Sequence, residues 1–254
     1  MPPDRLRDVA SHRREAGILL DFDGTLSEIA PSPEEARPVE DAASTLDDLA
    51  GSFRVVAVVS GRPAREVAAL LGANVRYVGL YGLEDDLRTM NRDEPAFVEQ
   101  VLPEVEAIAG EVAGARVEHK GVQVAVHYRA SPDPEAAAEM LRRRLGALAE
   151  ANGLTLLEGK RVLELAAAGA PTKGDVVETI AVHEGLRYVV YAGDDVADLE
   201  AFAAIDRLAA PGVVGVKIAV RSAETPEALL SAADVVVEGP PGLIDLLRGL
   251  RPGQ

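Results

Sequence analysis

Six short stretches of the chain are apolar at nearly every position: GILLDF (17–22), FRVVAVVS (53–60), VRYVGL (75–80), LRYVVYAG (186–193), VGVKIAV (214–220) and ADVVVEG (233–239). They are rich in valine and do not alternate. Strands buried on both faces read this way, as in a parallel sheet covered by helices. Amphipathic stretches such as VEDAASTLDDLAG (39–51) and PAREVAALLG (63–72) lie between several of them. The pattern predicts βαβ units and an α/β, doubly wound parallel sheet.

The middle of the chain has a different period. From residue 86 to 167 the expected order is helix, strand, strand, helix, strand, strand. The strands are ARVEHKG (115–121), VQVAVHYRA (122–130), GLTLLEG (153–159) and KRVLELA (160–166). Several alternate polar and apolar positions, as a sheet with one wet face does. Lys120-Gly121 and Gly159-Lys160 are the expected hairpin turns. The segment reads as an α+β domain, 86–167, inserted into a core made of 1–85 and 168–254. The joints are expected near Glu84–Arg88 and Ala166–Pro171.

Unusual polar residues fall at the carboxyl ends of the expected core strands, where ligands bind in open α/β sheets. Asp21 and Asp23 follow the first strand, Ser60-Gly61-Arg62 the second, and Gly193-Asp194-Asp195 the strand YVVYA. Lys173, in PTKGD, opens a helix, against the preference of the helix dipole for acids there. A carboxylate at Asp21 can attack phosphorus, and Asp23 can handle a proton on the leaving oxygen. A divalent cation with oxygen ligands offsets the repulsion between two anions, and magnesium suits a few carboxylates plus water. Asp194 can complete such a site, while Lys173 and Ser60 can hold phosphate oxygens. Gly24 and Gly61 let the backbone approach an anion closely.

Charge and composition narrow the classes. A formal net charge of −16 argues against a nucleic-acid partner, and it means that a phosphorylated substrate needs local positive charge. The chain has no cysteine, which removes disulfides, thiolate catalysis and cysteine-ligated zinc. No secretory leader or membrane helix is expected, so the expectation is a monomer in the cytoplasm that meets no membrane. His12, His119, His127 and His183 show no metal spacing.

DFDGTLSEI, VVSGRP, the lysine of PTKGD and GDDVADLEAF, in this order, resemble the four signatures of the haloacid dehalogenase superfamily of phosphohydrolases. The resemblance implies Asp21 as nucleophile, Asp23 as general acid and base, and Thr25, Ser60, Gly61 and Lys173 as phosphate binders. It implies Mg2+ on Asp21, Asp194 and the backbone carbonyl of Asp23, with Asp195 and Asp198 behind them. YGLE (81–84), VEHKGVQVAVHYR (117–129) and GKRVLEL (159–165) are similar to cap segments of the trehalose-6-phosphate phosphatases. On that resemblance Arg62, Glu84, Glu118, Lys120, Arg129 and Glu164 would face the sugar, and closure of the cap would exclude water. Ala197, where that group more often has Thr, and ELAAAGAPTKGD before the lysine depart from its pattern. A phosphatase of trehalose 6-phosphate is the expected activity. A phosphatase of another sugar phosphate, such as sucrose phosphate or a mannosyl- or glucosyl-phosphoglycerate, a phosphohexomutase, and a non-catalytic sugar-phosphate sensor are the alternatives.

Overall fold

A computed structural model describes residues 3–30, 35–85, 96–119, 123–210 and 212–252. The chain parts into two compact units, Met1–Arg88 with Pro171–Gln254, and Thr89–Ala170. The first unit begins with α1 (Pro3–Ser11), β1 (Ala16–Leu20), α2 (Ala42–Ala50), β2 (Val55–Val59), α3 (Ala64–Leu71) and β3 (Arg76–Val78). The second unit follows with α4 (Ala96–Gly110), β4 (Arg116–His119), β5 (Gln123–His127), α5 (Pro134–Asn152), β6 (Leu154–Gly159) and β7 (Val162–Ala167). The first unit resumes with α6 (Lys173–His183), β8 (Tyr188–Gly193), α7 (Asp198–Ala209), β9 (Val214–Arg221), α8 (Glu227–Ala232), β10 (Val235–Glu238) and α9 (Gly239–Arg248).

The six strands of the first unit form one parallel sheet in the order β10-β9-β8-β1-β2-β3. The unbroken apolar run of β1 follows from its place at the centre. Ile18 and Leu20 pack with Leu46 and Leu49 of α2 and Leu243 and Leu247 of α9. Leu19, pointing the other way, packs with Val177 and Ile180 of α6 and Phe202 and Ile205 of α7. Both faces of the strand are therefore core, so polar alternation would bury charge. Each such leucine contributes about 1.5–3 kcal/mol by burial.

The second unit is a four-stranded antiparallel sheet, β4-β5-β7-β6, with two helices on one face. Val124 and Val126 of β5 and Leu163 and Leu165 of β7 pack with Val101 and Val105 of α4 and Leu141 and Leu145 of α5. Helix α5 starts where Asp133 accepts the Ala136 N–H at 3.0 Å, with Pro134 in its first turn, and stops at Gly153 in the left-handed region. The alternate positions of the strands carry Glu118, Gln123, Ala125, His127 and Glu164. The fold class is that expected from the hydrophobic pattern.

One hairpin differs from expectation by a residue. Gly159 is not in the turn; it pairs with Val162, and the two-residue loop is Lys160-Arg161, with Arg161 at φ 60°. The cross-strand register, not the glycine, sets the loop length here. The turn expected at Lys120-Gly121 lies outside the described residues.

Candidate active site

Strand order decides where the site can be. From β1 the chain moves outward through β2 and β3 on one side, and β8, β9 and β10 extend on the other. The direction of winding switches between β1 and β8, and a crevice opens beyond their carboxyl ends. Asp21 directly follows β1, and its N–H continues the ladder to Ala192 O at 2.9 Å. Asp194 directly follows β8. Parallel pairing thus delivers two acids, distant in sequence, to the same point.

A buried charge cluster occupies that point. Asp21, Asp194, Asp198 and Lys173 are all at most 5% exposed. Lys173 Nζ donates to Asp21 Oδ1 at 2.7 Å and to Asp198 Oδ1 at 2.6 Å. The start of α6, which carries the lysine, is held by a reciprocal cap between Thr172 and Asp175. Burial opposes the lysine's charge, but Asp198 and Asp21 outweigh it and hold the ammonium well above the usual lysine range. Asp21 is pushed well above the usual carboxylate range by burial, then by Asp198 and Asp194, against the pull of Lys173. Burial is the main cause of the raised Asp21, and the two neighbouring carboxylates add to it against the single ammonium.

Oxygens of Asp21, Asp194 and Asp198 lie within 4.8 Å of one another, close enough to share a cation. Their hydrogen bonds separate them into two kinds. Asp198 Oδ1 accepts from Lys173 and from the Tyr191 hydroxyl at 2.7 Å. Its Oδ2 accepts the N–H groups of Asp194 at 2.8 Å and Asp195 at 2.9 Å. Four donors fill the acceptor capacity of that carboxylate. Asp198 is therefore the post that shapes the Asp194-Asp195 loop, and Asp21 and Asp194 are the acids that could hold a cation directly. Hard oxygen donors with this surplus charge fit magnesium. Thr25 is buried and donates to Asp194 Oδ1 over a long 3.5 Å, so its hydroxyl is aimed at the same acid. Asp195 Oδ1 accepts the Val196 N–H at 2.6 Å.

Gly24 has φ +83°, and a Cβ there would fall 1.9 Å from Asp194 Oδ2. The turn after Asp23 is thus pressed against the second acid, and only glycine allows both the conformation and the approach.

Asp23 lies at the rim, with its side chain 45% exposed. The Arg62 guanidinium grips it with two bonds, Nε to Oδ2 at 2.7 Å and Nη2 to Oδ1 at 2.8 Å. Arg62 also pairs with Glu66 and lies 5.7 Å from the Phe22 ring centroid. This planar two-bond geometry fixes the direction in which Asp23 points. Ser60 is buried, and its Oγ accepts the Arg62 N–H at 3.1 Å. Arg62, expected at the sugar, is used inside the first unit. Glu84, also expected there, accepts the Ala64 N–H at 2.6 Å and caps α3, whose own N-cap residue, Pro63, offers no side-chain acceptor.

Two tyrosines were not anticipated. Tyr191 sits in the buried strand β8, and its hydroxyl needs a partner, which Asp198 supplies. Tyr81 adopts φ 55°, ψ 29°, a conformation that non-glycine residues seldom hold. Its N–H donates to Ser60 O at 3.0 Å, and a Cβ on Gly61 would come within 2.6 Å of its ring and hydroxyl. Local strain of this kind concentrates at functional sites.

In the second unit Glu118 Oε2 meets His127 Nε2 at 2.6 Å, Arg129 Nη2 donates to Lys160 O at 3.3 Å, and Glu164 is buried. Lys120 lies outside the described residues. No helix among the described residues is long and apolar enough to cross a membrane.

The trehalose-phosphatase family model matches residues 19–235, which takes in all four core motifs and the inserted unit. The chain belongs to the trehalose-phosphatase family. A trehalose-phosphate phosphatase of Mycobacterium avium is 33% identical over 228 residues, 82% of this chain and 55% of the relative. An uncharacterized glycosyl hydrolase of Mycobacterium tuberculosis is 35% identical over 225 residues, 83% of this chain and 17% of that protein. The chain thus spans about half the length of the first relative and a smaller part of the second. Among solved structures, the C-terminal domain of a Candida albicans trehalose-6-phosphate phosphatase superposes with a TM-score of 0.81 at 21% identity, covering 96% of this chain and 94% of that one. A Bacteroides thetaiotaomicron phosphatase of the haloalkanoate superfamily reaches 0.58 at 18% identity, covering 92% and 94%. These likenesses show a core fold of the haloacid dehalogenase type.

Proposed function

We propose that this chain is a phosphoric monoester hydrolase that converts trehalose 6-phosphate to trehalose and phosphate. The observation that carries the reading is the buried contact of Lys173 with Asp21 and Asp198 at the switch point of the sheet. In this reading Asp21 is the nucleophile, Lys173 is the cation for phosphate oxygens, and Asp198 holds both the lysine and the Asp194 loop in position. Asp21 Oδ attacks phosphorus, and the bond to the sugar oxygen breaks. Asp23 gives that oxygen a proton, so the sugar leaves as an alcohol. Asp23 then takes a proton from water as the water oxygen attacks phosphorus, which frees Asp21 and releases phosphate. Lys173, Ser60, Thr25 and the Gly61 backbone neutralise or orient the phosphoryl oxygens. Asp21, Asp194 and the Asp23 carbonyl would hold Mg2+, which when bound would supply charge neutralisation for attack by one anion on another. It would also draw Asp21 back toward its ionised form. Glu118, Lys120, Arg129 and Glu164 read the sugar from the second unit. Arg62 and Glu84, which also have partners within the first unit, are placed at the sugar by resemblance alone.

The test is phosphate release from trehalose 6-phosphate, sucrose 6-phosphate, glucose 6-phosphate, mannosyl-3-phosphoglycerate and p-nitrophenyl phosphate, each with magnesium and with chelator. A magnesium-dependent preference for trehalose 6-phosphate is expected, and Asp21→Asn should abolish turnover with the fold intact. Preference for another ester would keep the chemistry and replace the sugar. No release from any member would overturn the hydrolase reading.

A further inference from the structure

Among the described residues, the sheet face of the second unit opposite α4 and α5 carries a glutamine, Gln123, that packing does not explain. Glu118 of β4, Ala125 of β5 and Glu164 of β7 stand side by side in register. The two carboxylates therefore flank a small residue and start from strands about 10 Å apart, two strand spacings. Gln123 is on the same face of β5, one alternation from Ala125 and beside Ala166. It is fully buried, and neither its Oε1 nor its Nε2 has a hydrogen-bond partner. An amide in that condition destabilises the fold, and a leucine or methionine of similar volume would not.

The chemistry of the face shows what the amide would serve. A carboxylate accepts hydrogen bonds and an amide both donates and accepts them, as each sugar hydroxyl does. The Gln123 amide supplies the neutral donor that a carboxylate lacks, together with a further acceptor. His127 fixes Glu118 through its 2.6 Å contact, so the acceptor is held in place. We infer that Gln123 is a sugar-reading residue, its amide taking adjacent hydroxyls of the leaving sugar on the face between Glu118 and Glu164. The inference rests on the sugar-phosphatase reading above and adds the residue that completes its donor and acceptor set. A site that binds a hydroxyl through buried polar groups rejects an analogue without it more strongly than an apolar site does.

The test uses the full chain and Gln123→Leu, with Gln123→Met as a second variant of nearly equal shape. The readouts are thermal midpoint and the ratio of kcat/KM on the preferred sugar ester to kcat/KM on p-nitrophenyl phosphate. Two changes of opposite sense are expected: a midpoint raised by about 2–4 °C, because a buried unpaired amide is gone, and a ratio lowered about tenfold. A purely structural glutamine would lower the midpoint and leave the ratio alone, and that result overturns the inference. An unchanged ratio in either folded variant does the same while the hydrolase reading stands. A wild-type chain that prefers no sugar ester over the aryl phosphate overturns both.

Discussion

Removing the carboxylate of Asp198 tests the division between the acid that shapes the loop and the acids that hold a cation. In Asp198→Ala, the Tyr191 hydroxyl, the N–H groups of Asp194 and Asp195 and one contact of Lys173 lose their acceptor. Lys173 keeps Asp21 at 2.7 Å, so the ammonium is not stranded. Each orphaned buried donor costs about 1–3 kcal/mol, with partial recovery by water and relaxation. Removing one partner of a buried ion pair typically costs about 3–5 kcal/mol in total. At about 2–4 °C per kcal/mol, the midpoint should fall by about 6–20 °C. Asp194→Asn is the contrasting variant: in chelator its midpoint should stay near wild type, because its main loss is negative charge from a crowded cluster. Its magnesium affinity should fall at least tenfold. Calorimetry in chelator and in excess magnesium, with magnesium titration of each folded variant, gives both quantities. If Asp198→Ala kept its midpoint within about 2 °C of wild type while losing magnesium as steeply as Asp194→Asn, Asp198 would be a direct ligand and the reasoning from its four donors would fail.

Three further outcomes are expected. Arg62→Ala should lower kcat about tenfold or more by releasing Asp23 from its two-bond grip, and Arg62→Lys, which cannot reproduce the fork, should recover little; unchanged kinetics would show that the grip is incidental. Gly24→Ala should lower the midpoint by about 2–8 °C, from about 1–2 kcal/mol of left-handed strain, and should weaken magnesium binding because the new methyl displaces Asp194; wild-type magnesium affinity in the folded variant would count against that close approach. Arg142 holds Glu158 below the usual glutamate range, chiefly by a hydrogen bond, so the pair stabilises above the ordinary glutamate pKa and its contribution is lost as pH falls through the lowered value. Both side chains are more than a third exposed, so Arg142→Ala should cost at most about 1 kcal/mol at pH 7 and less at pH 3, as pH-dependent urea unfolding would show.

The core strands were legible because burial on both faces leaves an unbroken apolar run, as Ile18-Leu19-Leu20 illustrates. The acids were legible because a polar residue at the end of such a run has nowhere to go but the crevice. Contacts set by the meeting of distant loops could not be read. Arg62 grips a residue 39 positions earlier, and Glu84 caps a helix 20 positions earlier; both were expected at the sugar. Their type suggested a polar ligand, and only the folded loops show that each also has a partner within the protein. Tyr81 was quoted as part of a motif, but nothing in its identity announces a left-handed backbone. Asp198 was expected behind the metal ligands, and its place at the first turn of α7 brings it onto two N–H groups of the preceding loop. Gly159 misled because glycine suggests a turn, whereas register places it in the ladder.

The pairing of β1 with β8 also dictates an order of assembly. Residues 16–20 must find residues 188–192, with the whole of Thr89–Ala170 between them in sequence. During synthesis β1 can pair with β2 early, but its other edge stays open until the ribosome has passed Gly193. The β4-β5-β7-β6 sheet has no such wait, since all its strand partners lie within residues 116–167. Long-range parallel pairing is slow and local antiparallel pairing is fast. The inserted unit is thus complete while the nascent core still presents the fully apolar edge of β1, and that interval is when the chain is most exposed to aggregation.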